Sequence, residues 1–126
     1  DYLIMTYLLN NYVRTFTTFT PLPILFCVYL DGLLQQLADL KMGCSIGEIF
    51  VCVLVYADDI VLLAPTANAM RTMLSHCDSY ARDYSIEFNA SKSKCLFLSA
   101  RRRVRVGNVS SPIFHVNNQP IEYVDN

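Results

Sequence analysis

The stretch YADDIVLLAP, Tyr56 to Pro65, sets two adjacent carboxylates, Asp58 and Asp59, between the most apolar runs of the chain. IFVCVLV (Ile49 to Val55) comes before them and IVLLA (Ile60 to Ala64) after. Both runs are short and rich in β-branched residues, and very few residues separate them. The stretch is therefore expected to be a β-hairpin with the acids at its tip, although no Asn-Gly or Asp-Gly pair marks the turn. Burying an unpaired carboxylate is costly and two neighbours repel, so one should titrate upward unless a cation lies between them.

The rest of the chain bounds what such a hairpin can serve. Its 126 residues, 53% of them hydrophobic, suffice for one domain with a real core. The net charge of −1 conceals a basic window in which Lys92, Lys94, Arg101, Arg102, Arg103 and Arg105 occur without an acid. That window could meet phosphates or stand as a solvated loop. Cys27, Cys44, Cys52, Cys77 and Cys95 are scattered, odd in number and without a CxxC pair. They suit core positions in a reducing, intracellular setting better than a disulfide framework or a zinc site. Asp31 interrupts one apolar run and Asp58 with Asp59 the other, so neither reads as a membrane span. Asp1 in place of a start methionine implies that the chain begins inside a longer one, with no secretory leader.

Going outward from the hairpin, Pro65-Thr66 marks a boundary with Thr66 as N-cap. Met70, Leu74, Cys77 and Ala81, widened by Met73, Tyr80 and Tyr84, form an apolar stripe at helical spacing to about Asp83. Arg71, Ser75, Asp78, Ser79 and Arg82 fall on the other side. His76, without a partner at ligand spacing, reads as a surface histidine. Upstream, Pro21 opens a helix to about Leu40 with Asp31, Gln35, Gln36 and Asp39 on one side, ended by Gly43, and Gly47 then opens the strand from Ile49. Residues 1–20 differ in character and predict a weak helix over Tyr2 to Val13 followed by an extended Thr-rich stretch. Downstream come a short strand near Ile86 to Phe88, a turn through Asn89 to Ser93 and a strand Cys95 to Ser99. PIFHVNNQPIEYV reads as a hairpin turning at Asn117-Asn118, with His115 a plain strand residue.

Carboxylates at a hairpin turn suit magnesium, a hard cation that takes carboxylate and phosphate oxygens. As a bare string an Asp-Asp pair is weak; its surroundings are specific. FCVYLDGLLQQL, YADDIVLLAPT, MRTMLSHCDSYARDYSIEFNASKSKC and IEYVDN resemble, in that order, the palm of non-LTR (LINE-like) retrotransposon reverse transcriptases, over Pro21 to Asn126. The resemblance implies an α+β fold, a partial right-hand polymerase palm whose antiparallel sheet carries helices on one face. It implies RNA-directed DNA polymerisation by two Mg2+ ions, with RNA template, DNA primer and deoxynucleoside triphosphates as partners. On that pattern Asp58 is a direct metal ligand and Asp59 the second acid of the catalytic hairpin. Tyr56 lies against the primer end beside the small Ala57, and Lys92 or Lys94 stands near the incoming triphosphate or touches backbone phosphates. Apart from the family pattern, the charge of the basic window alone offers Arg101, Arg102, Arg103 and Arg105 as contacts to a nucleic-acid backbone or as a solvated loop.

Three departures separate ancestry from activity. The family's further catalytic aspartate belongs on an earlier strand, yet Asp1 is the only acid before Asp31. The family's Gln-Gly falls near Thr17-Thr18 and its Ser on Leu22, although Pro23 and Leu25-Phe26 fit, so residues 1–20 read as a non-matching or degraded segment and 21–126 as the partial palm. The sequence also stops at Asn126, where thumb elements are expected. The expected function is a reverse transcriptase fragment, inactive alone, that exposes the apolar face of its sheet. The alternatives are a degenerate palm that binds nucleic acid or a protein without catalysis, and an unrelated metal enzyme, for which Ile60 to Ala64 supplies no further acid.

Overall fold

The computed structural model describes residues 2–9 and 22–27 as backbone and residues 28–56, 59–98 and 112–124 in full. Nine strands and two helices are described: β1 (Tyr2–Leu9), α1 (Leu22–Asp39), β2 (Cys44–Ile46), β3 (Ile49–Val51), β4 (Val53–Tyr56), β5 (Asp59–Ala64), α2 (Ala67–Asp83), β6 (Phe88–Leu98), β7 (His115–Val116), β8 (Gln119–Pro120) and β9 (Glu122–Val124). Five of these strands make the main sheet in the order β4-β5-β1-β6-β9. Its pairs are antiparallel except β6 with β9, which run parallel. The expected α+β class is what the chain adopts, with this one parallel pair added.

Strand β5 sorts the two faces of the sheet. Ile60, Leu62 and Ala64 are buried, while Asp59, Val61 and Leu63 alternate with them and are partly exposed. The buried set joins Leu30, Leu33 and Leu37 of α1 and Met70, Met73, Leu74, Cys77, Tyr80 and Ala81 of α2 in one core. Both helices thus cover one face, and the face with Asp59 carries neither. The Tyr80 hydroxyl donates to the Tyr29 carbonyl at 2.5 Å, tying α2 to α1. Helix α2 follows its sequence: Thr66 accepts from the Ala69 N–H at 3.1 Å, and the stripe is buried except Tyr84, which stacks on Tyr80 from an exposed position. The Asn117-Asn118 turn also forms, both residues holding the positive φ that a two-residue hairpin demands.

Several local expectations give way. Tyr2–Leu9 is a strand between β5 and β6, where a helix was expected. YLIMTYLL is a near-continuous apolar run with no helical period, and ladders on both sides supply the backbone bonds that an isolated segment lacks. The remainder of the expected helix, to Val13, and the Thr-rich stretch lie outside the described residues. Helix α1 stops at Asp39, and the left-handed residue after it is Lys41 (φ 52°), so Gly43 is not the terminator. A Cβ on Gly43 would stand 2.4 Å from the Val51 carbonyl oxygen and 2.6 Å from Cys52 Cα, so the glycine admits a crossing backbone. Gly47 (φ 64°) does not open the strand but turns the β2–β3 hairpin, and Cys52 divides the expected Ile49–Val55 strand into β3 and β4. The turn expected at Asn89 to Ser93 is a bulge within the single strand β6, which begins at Phe88 and not at Ile86.

Candidate active site

Strands β4 and β5 pair from Val53 opposite Leu62 to Tyr56 opposite Asp59, so the expected hairpin forms. Ala57 and Asp58 lie outside the described residues. Opposed residues share a face of a sheet, which puts Tyr56 and Asp59 together on the open face at one end. Tyr56 is 83% exposed and Asp59 half-buried. The electrostatic puzzle of an acid inside an apolar run is eased for Asp59 by the two-residue period of the strand, which turns it away from the core.

On its other side Asp59 faces Leu8 of β1, and Leu8 in turn faces Asn89 of β6. The row across the sheet is thus Tyr56, Asp59, Leu8 and Asn89, with one acid. No residue from Tyr2 to Leu9 is acidic. Tyr2 pairs with Leu98, about 20 Å from Leu8 at strand rise, and Asp1 lies outside the described residues. A second strand is where a cation site needs its further carboxylate, because neighbouring residues on one strand point to opposite faces. Among the described residues no three His, Cys, Asp or Glu side chains converge on a metal position. The described donors therefore do not make up a two-ion site.

Of the candidate cations, Lys94 faces Thr6 and donates to Glu122 of β9 in an ion pair across the parallel edge. That contact holds the Glu122 carboxyl below its usual value, first through the hydrogen bond and then through the charge. Lys92 is exposed within the β6 bulge, between Asn89, which faces Leu8, and Lys94, which faces Thr6. The Asn89 side chain shapes this bulge, accepting from Ser91 Oγ at 2.7 Å and from the Lys92 N–H at 3.1 Å, while Ser93 Oγ donates to the Asn89 carbonyl at 2.7 Å. Arg101, Arg102, Arg103 and Arg105 lie outside the described residues. Glu122 is the residue that sequence reading missed: nothing local in IEYV announces a partner 28 positions away from Lys94.

Cys44, Cys52, Cys77 and Cys95 are buried free thiols. Burial, reinforced by the Asp78 charge, pushes Cys77 up to about 12, and burial raises the other three, so none is an activated nucleophile. Among the described residues no helix is long and apolar enough to cross a membrane.

A sheet backed on one face by two helices, with an acid-bearing hairpin at one end of its open face, defines an α+β domain consistent with part of a polymerase palm. Residues 20–124 match the family model described as reverse transcriptase (RNA-dependent DNA polymerase), and the chain belongs to that family. A search of curated proteins finds no match to it. The family generally works on a nucleic-acid template, a primer and deoxynucleoside triphosphates with divalent metal ions.

Proposed function

We propose that this chain is a palm segment of a non-LTR retrotransposon reverse transcriptase and that it does not polymerise DNA by itself. The observation that carries this reading is the opposition of Leu8 to Asp59, with no acid anywhere on β1. In the parent enzyme divalent ions such as magnesium would supply charge neutralisation at the primer end. Asp58 and Asp59 would hold them from this hairpin, Tyr56 and Ala57 would border the primer end, and a lysine of β6 would meet phosphate. Lys92 is the better placed for that contact, since Lys94 is already engaged by Glu122. In this reading residues 1–20 are a non-matching or degraded segment and 21–126 the partial palm; the family match itself covers residues 20–124. Buried thiols accord with a reducing, intracellular setting.

Primer extension on an RNA template with magnesium tests the reading. The purified chain is expected to give no incorporation above background; robust extension that Asp58→Asn abolishes would overturn it. A second reading is nucleic-acid binding without catalysis, favoured by the exposed Lys92 and the basic window after it. It requires affinity for single-stranded RNA that falls steeply with salt, with a slope reduced by roughly 0.7 for each phosphate contact removed.

A further inference from the structure

Strand β6 breaks the two-residue period of a strand at one place. Phe88, Ala90, Ser93 and Cys95 are buried, so the step from Ala90 to Ser93 is three residues where its neighbours are two. The β1 ladder shows the same surplus. Asn89 faces Leu8 and Lys94 faces Thr6, so Ala90 to Ser93 intervene on β6 where Tyr7 alone intervenes on β1. In a regular strand Lys92 would keep phase with Phe88 and Ala90 and enter the core side. The bulge shifts that phase, and Ser91 and Lys92 are both exposed.

Side chains hold the bulge in shape. Asn89 Oδ1 accepts twice, from the Ser91 hydroxyl at 2.7 Å and from the Lys92 N–H at 3.1 Å. The buried Ser93 hydroxyl donates to the Asn89 carbonyl at 2.7 Å, and the Asn117 side chain, from the β7–β8 turn, donates to the Phe88 carbonyl at 2.6 Å. Through Leu8, the bulge begins two strand spacings, about 10 Å, from the hairpin acid Asp59. Asn89 makes its contacts with a neutral amide. An aspartate accepting the same bonds would set a charge beside an incoming phosphate.

On the reading of Lys92 as the phosphate-contacting lysine, we infer that Asn89 is its positioning residue, building the bulge that presents Lys92 to the phosphates of a nucleoside triphosphate. The bond from the Lys92 N–H to Asn89 fixes the backbone at Lys92, and the direction in which a side chain leaves follows from its backbone. Without the amide, Ser91 Oγ and the Lys92 N–H lose their shared acceptor and the bulge loosens. The ammonium then has to be ordered at the moment of binding, which lowers affinity.

The test is isothermal titration of the full chain with inorganic tripolyphosphate, beside hydrogen exchange at the Lys92 amide. Lys92→Gln and Asn89→Ala are each expected to weaken binding about tenfold, and the double variant to bind no more weakly than Lys92→Gln. Exchange at the Lys92 N–H should quicken in Asn89→Ala and stay slow in Asn89→Asp, which keeps the acceptor. Slow exchange at Cys95, further along β6, separates a loosened bulge from a lost fold. Full affinity in Asn89→Ala beside weakened binding in Lys92→Gln would overturn the positioning role and leave the lysine contact standing. Additive losses in the double variant, fast Lys92 exchange in Asn89→Asp, or lost Cys95 protection in Asn89→Ala would also overturn it, the last in favour of a purely structural role. No binding by the wild type, or full affinity in Lys92→Gln, would remove the lysine contact itself and the positioning role with it.

Discussion

Asp78 lies on the polar side of α2, yet the segment before β7 and the Asn117 turn fold back over that side and partly bury it. Burial raises its carboxyl above the ordinary value, outweighing the opposing effects of the Asn117 N–H and the Arg82 charge. A carboxyl raised in the folded state binds its proton more readily there, so its contribution to stability is complete below the unfolded value of about 4 and is lost as pH rises through the folded value. Glu122, lowered by Lys94, runs the other way: its contribution is present above the unfolded value and is lost as pH falls through the folded one. Asp78→Asn is therefore expected to raise Tm at neutral pH, with the gap from wild type closing toward about pH 3. Thermal melts across that range check it, and a gap that persists in acid would count against a desolvated carboxylate. Helical spacing correctly put Asp78 outside the stripe; it could not show what folds back onto the outside.

Helix α2 was the most legible element because its stripe, cap and boundary agree with one another. Its end carries a cost that the apolar pattern did not show. Ser85 holds φ 54°, and the Ile86 N–H donates to the Ala81 carbonyl at 2.8 Å while Ile86 packs on the core, the arrangement in which glycine usually stands. Ser85→Gly is expected to stabilise the chain by about 1 kcal/mol, and Thr66→Ala to destabilise it by a similar ~1 kcal/mol through the lost N-cap. Urea titrations with unchanged slopes measure both, and a destabilising Ser85→Gly would contradict the left-handed assignment. Strand β1 was illegible for the opposite reason. YLIMTYLL has no period of its own, and its conformation comes from neighbours 50 and more residues away, Asp59 to Ala64 on one side and Phe88 to Leu98 on the other.

Over the whole molecule, one face of the sheet is sealed by helices and the other exposes Leu54, Tyr56 and Val124. Strand β4 forms an edge with the sequence VLVY, which carries neither charge nor proline to block pairing with another chain. Sedimentation velocity is expected to show association that grows with protein concentration, and Val55→Lys should suppress it. A wild-type chain that stays monomeric throughout would sink this expectation. The local sequence sufficed for what depends on residues close in the chain: the amphipathic α2, the Asn117-Asn118 turn, and the Tyr56–Asp59 hairpin with the family it signals. Only the tertiary structure decided which residues stand beside Asp59. It set acid-free β1 against Asp59 and engaged Lys94 with Glu122, because strand order and register arise from pairing between distant segments, which no local pattern encodes.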